Sequence, residues 1–390
     1  IRIGGIIPYS QYDNYILPVY YYINNYPTDY IMIKYNNRKN SSKIEKTLAQ
    51  NTIVKKYNMK TIYNCWIVLS VLLLATSCND EWTEEQYKQY ISFAAPINDQ
   101  GVMNIYVRYK TDGKVTYKLP LTVSGTTMNS QDLDVHVAID PDTLNIMNQE
   151  RFSTRTELFY ELLDEKFYSF SESVHIPADS YAETMNIDFT LNGIDMVEKW
   201  VLPLTIVDDA SYNYMSHPRK NYAKALLRVI PFNDYSGSYS TTTMEVFFRN
   251  PDGSIDKKPM VANSRTAYVV DENTIFFYAG LVGENLDKEI RRTYKIYMQF
   301  DQETKTLKVW PEDDRINFEL FGTPDYSVAV IKDATRPYLE HHYVSFSIEY
   351  NYDDITSAPG AIVPYKVKGT LTLERNINTQ IPDEDQQIEW

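Results

Sequence analysis

Histidine and carboxylate side chains are the residues of this sequence that could bind a metal ion or catalyse hydrolysis. Of the five histidines, only His341 and His342 are adjacent, and adjacent side chains on a strand point to opposite faces. Acidic pairs such as Asp353-Asp354 fall in predicted turns without the spacing of an EF-hand loop. We find no nucleophile-elbow, phosphate-loop or dinucleotide-binding motif. The sequence therefore predicts no enzyme, no cofactor and no metal site; a calcium ion in one acidic loop is the alternative.

Aromatic side chains are the second chemical feature, since the chain contains 34 tyrosines and five tryptophans. An aromatic ring can cover the apolar C–H face of a sugar while neighbouring Asn, Asp, Gln or Arg groups bind its hydroxyls. Trp310 precedes an acidic turn that ends at Arg315, and Tyr326 and Tyr338 each follow a turn that contains proline. We predict that these four residues contact a glycan. The alternative is that such rings are packed within strands, because tyrosine favours β-structure.

Alternating apolar and polar residues predict strands throughout residues 90–232. The pattern is clear at 104–109, 134–139 and 184–189, and turn residues separate such segments. About eight short strands at this spacing are typical of an antiparallel β-sandwich.

Two features interrupt this pattern. Short helical segments are predicted at 142–148 and 156–163. The phrase Leu-Pro-Leu-Thr occurs at 119–122 and again at 202–205. Because proline cannot donate to a sheet ladder, we predict that both phrases lie at edges or bulges.

Residues 233–390 form a second run of predicted strands after a junction at 231–234. Turns such as 250–253 and 301–304 separate the strands, and helical patterns are almost absent. The missing helices exclude a (β/α)₈ barrel. The predicted fold class is all-β, with a β-sandwich at 90–232 followed by a C-terminal antiparallel β-barrel or second β-sandwich.

Four pieces of the first region carry a family resemblance: 156–163, Tyr168, 174–179 and 200–206. In this order they resemble a domain of unknown function found beside the anchor of outer-membrane lipoproteins, including lipoproteins with a family 18 endo-glycosidase module. The resemblance implies an immunoglobulin-like sandwich over 90–232 that acts as a spacer and platform, without catalytic residues. The last two strands of the chain resemble the end of a C-terminal domain of unknown function that accompanies this domain in such lipoproteins.

Residues 59–77 have the pattern of a secretory signal peptide, with a charged start, an apolar run and small residues at the end. The apolar run is too short to cross a bilayer. The segment from Ala75 to Cys78 resembles a bacterial lipoprotein cleavage box, which implies that Cys78 becomes the N-terminus and carries lipid. Residues 1–58 lack a helical or strand period, so we interpret them as spurious upstream translation that is disordered. A genuine Tyr-rich extension is the alternative.

The charge of the chain limits its possible binding partners, and its cysteine content limits its possible disulfides. Residues 1–77 hold nine basic and three acidic residues, against 38 and 52 in the whole chain, so residues 78–390 carry a net charge of −20. Such an acidic protein repels phosphate backbones, and we expect no nucleic-acid partner. The two cysteines, Cys65 and Cys78, fall in the signal and the anchor, so the rest of the chain folds without a disulfide.

The segment 78–89 is predicted to be an acidic tether. It resembles a signal, used by gut glycan-degrading Gram-negative anaerobes, for export to the outer face of the outer membrane. We therefore expect a non-catalytic lipoprotein of the outer membrane that faces the cell exterior. It would bind a glycan for a Sus-like polysaccharide-utilisation system, with a TonB-dependent porin as a partner. A structural or protein-interaction lipoprotein is the alternative, and a glycosidase with an all-β site is a third hypothesis.

Overall fold

The computed structural model describes residues 85–219, 221–382 and 386. Within this part of the chain, no helix is both long and apolar enough to pass through a bilayer. Several predicted features lie outside the described residues: the upstream segment 1–58, the signal peptide 59–77, the lipid site Cys78, and residues 78–84 of the tether.

Strands make up 46% of the structure and helices 9%, which confirms the predicted all-β class. The helices are α1 (Pro141–Phe152) and α2 (Lys288–Thr293), and single 3₁₀ turns span Thr156–Leu158, Glu165–Phe167 and Asp314–Ile316. In chain order, the strands are β1 (Ile91–Phe93), β2 (Met103–Arg108), β3 (Val115–Val123), β4 (Leu133–Ile139), β5 (Glu161–Leu162), β6 (Tyr168–Phe170), β7 (Ser173–Ile176), β8 (Ala182–Phe189), β9 (Trp200–Ile206), β10 (Lys224–Phe232), β11 (Gly237–Ser240), β12 (Glu245–Phe248), β13 (Met260–Val261), β14 (Ser264–Val269), β15 (Thr274–Tyr278), β16 (Lys295–Phe300), β17 (Leu307–Pro311), β18 (Glu319–Leu320), β19 (Tyr326–Lys332), β20 (Leu339–Asp354) and β21 (Val363–Asn378).

The first region, β1 to β10, is a sandwich of two sheets. One sheet has the order β1-β3-β8-β6, and the other has the order β2-β10-β9-β4-β7 with β5 beside β9. Most neighbours are antiparallel, but β2 runs parallel to β10 and β5 runs parallel to β9. The alternation in the sequence decides the packing: in β4, Leu133 and Val135 are buried while Asp134 is exposed. Inward side chains from both sheets form one core.

The two prolines of the repeated phrase lie in interior strands, so the prediction of edges or bulges is wrong for these strands. β3 lies between β1 and β8, and β9 lies between β10 and β4. Pro120 comes just beyond the stretch paired with β1, where the N–H of Ala94 donates to its carbonyl at 2.9 Å. Pro203 falls between the stretches paired with β5 and β4, where the N–H of Asp140 donates to its carbonyl at 3.0 Å. Each proline thus occupies a gap in the neighbouring strand, where its missing N–H costs no ladder bond.

The two predicted helical segments have different outcomes. Helix α1 forms over the predicted 142–148, and the carboxylate of Asp140 caps its first turn. Residues 156–163 do not form a helix, because a 3₁₀ turn there is followed by β5. The side chain of Asn148 accepts a hydrogen bond from the backbone N–H of Tyr160 and donates to its carbonyl, both at 2.9 Å. The backbone N–H and carbonyl of Tyr160 therefore bind a side chain of α1 and do not take part in a helix over 156–163.

The second region is one sheet of eleven strands that curls on itself. Its main path is β13-β12-β21-β11-β14-β15-β16-β17, and β20 connects β21 to β18 and β19. A β-bridge between Thr306 and Asp325 joins the start of β17 to the start of β19, which brings the curled sheet close to closure. Apolar and tyrosine side chains such as Tyr239, Tyr294 and Ile296 fill its interior. The C-terminal half of the predicted fold class is therefore present as a barrel-like sheet.

The two regions join without a linker. β10 ends at Phe232 and β11 begins at Gly237, and the junction residue Asn233 is only 2% exposed. Tyr268 and Phe276 of the second region belong to the same core cluster as the first sandwich. The described residues of both regions accordingly form one compact unit.

Glu85 ties the start of the described chain to the loop that precedes β4. Its carboxylate accepts hydrogen bonds from the backbone N–H groups of Thr126 at 2.8 Å and Thr127 at 3.0 Å, and from the Thr127 hydroxyl at 2.9 Å. These donors lower the pKa of Glu85 from 4.5 to about 2. The last part of the predicted tether is therefore bound to the sandwich.

We expect the Glu85 carboxyl group to stay ionised far below pH 4.5. Its pKa is lower in the folded than in the unfolded chain, so its contribution to stability is complete above pH 4.5 and is lost as the pH falls through about 2. Carbon-13 NMR of the carboxyl group measures this titration. Glu85→Gln should also speed amide hydrogen exchange at Thr126 and Thr127, whereas the exposed Glu172→Gln should not. A carboxyl midpoint near 4.5 would contradict the bound geometry.

Candidate functional site

A cleft of about 440 Å³ lies between the two regions. Strands β2 and β10 of the sandwich form one wall, strands β11, β14 and β15 form the other, and the loop after β15 closes one side. We call it the central cleft. It is lined by Tyr106, Met196, Arg228, Ile230, Pro231, Ser238, Ser264, Arg265, Thr266, Ala267, Tyr268, Tyr278, Val282, Gly283 and Glu284.

An ion pair crosses the central cleft from one region to the other. Both carboxylate oxygens of Glu284 accept from the Arg228 guanidinium, at 3.1 and 3.3 Å, and the Tyr268 hydroxyl donates to the same carboxylate at 2.6 Å. Burial alone would raise the pKa of Glu284, but Arg228, the Tyr268 hydroxyl and nearby Lys199 outweigh burial and lower it. Glu284 is therefore ionised at neutral pH, and its carboxylate oxygens already accept hydrogen bonds from Arg228 and Tyr268.

Two further cations stand directly behind the lining. The Lys199 ammonium donates to the backbone carbonyl of Glu284 at 3.1 Å, and burial lowers the pKa of Lys199 to about 8. The buried Arg291 guanidinium donates to the Val197 carbonyl at 2.7 Å and to the Tyr278 hydroxyl at 3.3 Å. The wall of the central cleft is therefore rich in positive charge, in a chain with a net charge of −14.

Arg265 is the lining cation that has no carboxylate. Its guanidinium donates to the backbone carbonyl of Val282 at 3.1 Å and to that of Gly280. Its Nε atom is buried without a hydrogen-bond partner, and Arg265 forms no ion pair within the described residues. A guanidinium has five N–H donors, so Arg265 keeps donors that the described chain does not use.

An aromatic row runs from the central cleft to the edge of the curled sheet. Tyr268, Phe276, Tyr297 and Trp310 occupy directly paired positions on β14, β15, β16 and β17. Successive ring centroids are 5.1, 6.3 and 5.4 Å apart. Tyr268 and Phe276 are buried, whereas Tyr297 and Trp310 are half-buried, so the row becomes accessible towards β17.

The structure separates the four residues predicted to contact a glycan. Trp310 stacks on Tyr297 with an interplanar angle of 16°, and the Lys308 ammonium lies 5.1 Å from the Trp310 ring. Lys308 also lines a second cavity of about 640 Å³ beside β17. Arg315 is exposed, and its Nε lies 2.9 and 3.0 Å from the two carboxylate oxygens of Asp313. Trp310 and Arg315 therefore stay predictions.

Tyr326 begins β19, whereas Tyr338 lies in the turn between the far end of β19 and the start of β20, so the length of β19, about 20 Å, separates them. Tyr338 is 38% exposed and keeps its predicted role as a hypothesis. Tyr326 is 5% exposed, because its ring packs edge-on against Tyr235 and Phe300. Its hydroxyl donates to the Asp301 carbonyl at 3.2 Å. Tyr326 is a core residue, and its ring offers no face to a sugar.

Comparisons with known proteins place this geometry in a family. Residues 82–210 match the model of a domain of unknown function, DUF4973, and residues 223–372 match a model for a C-terminal domain. A Bacteroides ovatus protein of unknown function is 55% identical, with a TM-score of 0.70; the match covers 77% of this chain and 100% of that one. The chain belongs to the same family as this Bacteroides ovatus protein.

Two more members of this Bacteroides family have solved structures. A multidomain protein from Bacteroides ovatus that includes DUF1735 is 52% identical, with coverage of 77% and 100% and a TM-score of 0.69. A protein from Bacteroides thetaiotaomicron described as an auxiliary nutrient binding protein is 44% identical, with coverage of 78% and 100% and a TM-score of 0.69. A search of curated proteins gives no match. The two domain matches, at 82–210 and 223–372, confirm the predicted pairing of a domain of unknown function with a C-terminal domain.

The sequence analysis did not identify three charged residues that line the central cleft of this protein. Arg228, Arg265 and Glu284 are far apart along the chain, and no spacing motif connects them. One signal was available: Arg228 is the one charged residue in the apolar stretch 225–230 of β10, Ala-Leu-Leu-Arg-Val-Ile. A charge at such a position needs a buried partner, which here is Glu284. Among the described residues, no group of three or more His, Cys, Asp and Glu could hold a metal ion.

Proposed function

We propose that this protein is a non-catalytic binding protein for a carbohydrate nutrient, held by lipid on Cys78 at the outer face of the outer membrane. The observation that carries the proposal is 44% identity, over the full length of the relative, to a protein described as an auxiliary nutrient binding protein. Identity at this level along the whole relative supports a shared class of function.

The central cleft supports this proposal as the binding site. Its volume of about 440 Å³ falls within the range of small-molecule sites, and such sites commonly lie between domains. The lining combines apolar and aromatic groups with hydroxyls and fixed charges, which suits the two chemical faces of a sugar ring. Trp310 and Lys308, at the outer end of the aromatic row, offer a second contact for a longer glycan.

The proposed location rests on the sequence before the described residues. A signal peptide at 59–77 followed by Cys78 would leave a diacylated sulfur at the new N-terminus, which anchors a protein stably in a membrane. The bound segment at Glu85 would then place the sandwich within a few residues of the lipid. From there the protein would pass its glycan to a TonB-dependent porin of a Sus-like system.

One observation favours a second function, protein interaction at the outer membrane. Beyond the bridge near its start, strand β19 pairs only with β20 within the described part of the chain. Its exposed side chains include Val328, Val330 and Ile331, which are 45–56% exposed. An accessible edge strand with apolar side chains is a surface to which another protein can add a strand. This surface is compatible with glycan binding in the central cleft and with docking to a porin.

We expect the soluble chain of residues 79–390 to be retained by at least one polysaccharide in an affinity-gel screen. Thr266→Trp, an exposed position on the wall of the central cleft, should weaken that retention by about 10-fold or more, because the indole would fill the cavity. Trp310→Ala should weaken it by about threefold through loss of one stacking contact. On whole cells, Cys78→Ala should abolish surface retention of the same polysaccharide.

The matched control is Ser347→Trp, which adds the same indole to an exposed strand position outside the central cleft. It should bind like the parent chain. If no polysaccharide is retained, the proposed function is wrong. If retention survives Thr266→Trp and is lost with Trp310→Ala, the site lies at the edge of the sheet and not in the central cleft. Release of reducing sugar from a retained polysaccharide would favour a glycosidase.

A further inference from the structure

The second cavity, of about 640 Å³, lies where the curled sheet does not close. Just before β17 and β19 begin, Thr306 and Asp325 form a bridge, and the Leu307 N–H donates to the Pro324 carbonyl at 2.9 Å. Proline has no N–H to donate back to Leu307, so the ladder ends there. Gly322 then turns the chain with a left-handed φ of 74°. Beyond this point, an open slot separates β17 from β18.

The slot is closed at both of its ends by the chain itself. The bridge closes one end, and at the other end the chain leaves β17 at Pro311 and returns through residues 312–318 to β18. A protein strand that added to β17 would have to run along it, and the five residues of β17 offer only about 17 Å between the two closed ends. The slot therefore favours a ligand chain that crosses it rather than a protein strand that lies along it.

One aromatic ring stands on each side of the slot. Val309 and Leu320 pack against the interior core of the curled sheet, so their neighbours Trp310 and Phe321 point to its outer face. The Phe321 N–H donates to the Glu349 carbonyl at 2.9 Å, which extends the pairing of β18 to this residue. Phe321 is 39% exposed and Trp310 is half-buried, so part of each ring is accessible from the same side of the sheet.

The polar side chains that line the second cavity are not used by the protein. Lys308 on β17 is paired with Gln299 on β16, and Thr323 lies on the other side of the slot. Within the described residues, these three side chains form no hydrogen bond and no ion pair. An ammonium, an amide and a hydroxyl can all bind sugar hydroxyls, while aromatic rings cover the apolar C–H faces of a sugar.

We propose that the second cavity is a second carbohydrate site, at which a glycan chain crosses the slot. Its sugar rings contact Trp310 and Phe321, and its hydroxyls bind Gln299, Lys308 and Thr323. This inference rests on the proposed function, and it adds a site that is separate from the central cleft.

The two sites lie close enough for one polysaccharide to occupy both. Along the aromatic row, Trp310 is three strands away from Tyr268 in the central cleft, which is about 14 Å. A chain bound at one site is held at a high effective concentration near the other, so its overall affinity exceeds that of either site. A disaccharide is too short to gain from this effect.

The first test measures retention of polysaccharides in affinity gels. Residues 79–390 are run with amylopectin, α-mannan, galactomannan, xyloglucan and arabinogalactan as probes. The double variant Trp310→Ala/Phe321→Ala should weaken retention of a bound polysaccharide by about 10-fold or more, because only the central cleft remains. Its affinity for a disaccharide cut from the same polysaccharide, measured by calorimetry at the central cleft, should change by less than about twofold.

Tyr181→Ala/Tyr222→Ala is the matched control, because it removes two rings that are 66% and 42% exposed on the first sandwich. It should bind like the parent chain. Urea unfolding shows whether Trp310→Ala/Phe321→Ala still folds. If it does not, Thr323→Trp replaces it: this exposed change fills the slot and should give the same loss of retention.

The second test observes the slot directly. The indole N–H signal of Trp310 in an NMR spectrum is assigned by its loss in Trp310→Ala. Oligosaccharides cut from the retained polysaccharide should shift this signal even in Thr266→Trp, in which the central cleft is filled. The indole of Trp200 donates to the Asp195 carbonyl at 2.8 Å, and its signal should stay in place.

The outcomes separate the two proposals. Unchanged retention in Trp310→Ala/Phe321→Ala and an unshifted Trp310 signal, together with sensitivity to Thr266→Trp, keep the proposed function and overturn the second site. Retention of none of the five polysaccharides overturns both. An equal loss of retention in Tyr181→Ala/Tyr222→Ala would show that any exposed ring contributes, which also overturns the inference.

Discussion

Replacing Asn233 by alanine is expected to lower the free energy of unfolding by about 3 kcal/mol. The Asn233 amide oxygen accepts hydrogen bonds from the backbone N–H groups of Tyr235 at 2.9 Å and Ser236 at 2.7 Å. Its amino group donates to the carbonyls of Asp271 at 2.7 Å and Thr274 at 3.3 Å. Alanine would leave buried backbone groups of two chain segments without partners, and each such group costs about 1–3 kcal/mol.

Urea unfolding of residues 79–390 measures this loss, and two variants show its cause. Asn233→Asp keeps the acceptor but removes the donor and adds a buried charge, so it should be at least as destabilising as Asn233→Ala. Asn192→Ala changes the same side chain in an exposed turn and should alter stability by less than about 0.5 kcal/mol. Equal stability of Asn233→Ala and Asn192→Ala would show that the junction does not depend on the amide.

Gly369→Ala is expected to lower the free energy of unfolding by about 3 kcal/mol, because it places a methyl group against the backbone of the turn before β12. A Cβ at residue 369 would lie 2.5 Å from the Met244 Cα and 2.9 Å from the Met244 N and the Thr243 O. These are backbone atoms next to β12, so no side-chain rotation can relieve the contact. Gly369 lies where β21 changes partner, between Lys368, paired with β12, and Thr372, paired with β11.

The same urea unfolding experiment tests this prediction. Gly283→Ala is the matched control, since a Cβ there meets only the flexible side chain of Asn285, at 3.2 Å. It should be nearly neutral. If Gly369→Ala also unfolds at the urea concentration of the parent chain, β21 and the turn before β12 must separate by more than the structure shows.

The strands were predictable because their side chains alternate between solvent and core. β2 and β4 appear within one residue of the predicted bounds 104–109 and 134–139, since a period of two is a local property of the sequence. The segment 156–163 was mispredicted because its pattern fits a helix, while the side chain of Asn148 binds the backbone at Tyr160. A contact between α1 and a later segment cannot be deduced from the later segment alone.

The candidate site was largely beyond sequence reasoning. Arg228 and Glu284 meet only because the curled sheet packs on the sandwich, and that packing is decided by surfaces remote in sequence. The tyrosine content did direct attention to aromatic groups, and Trp310 is accessible at the end of the aromatic row. It could not distinguish the exposed Tyr338 from the buried Tyr326, because a ring after a turn that contains proline has a similar local sequence whether it faces solvent or the core.

The junction without a linker has a consequence for ligand capture. Asn233 holds the crossing point, and the two regions share a core, so the walls of the central cleft have no hinge about which to swing. The walls become ordered when the polypeptide folds, so their conformational entropy is lost before any ligand binds. A molecule that binds the proposed site would therefore meet walls that are already arranged, and its binding would carry a smaller ordering cost.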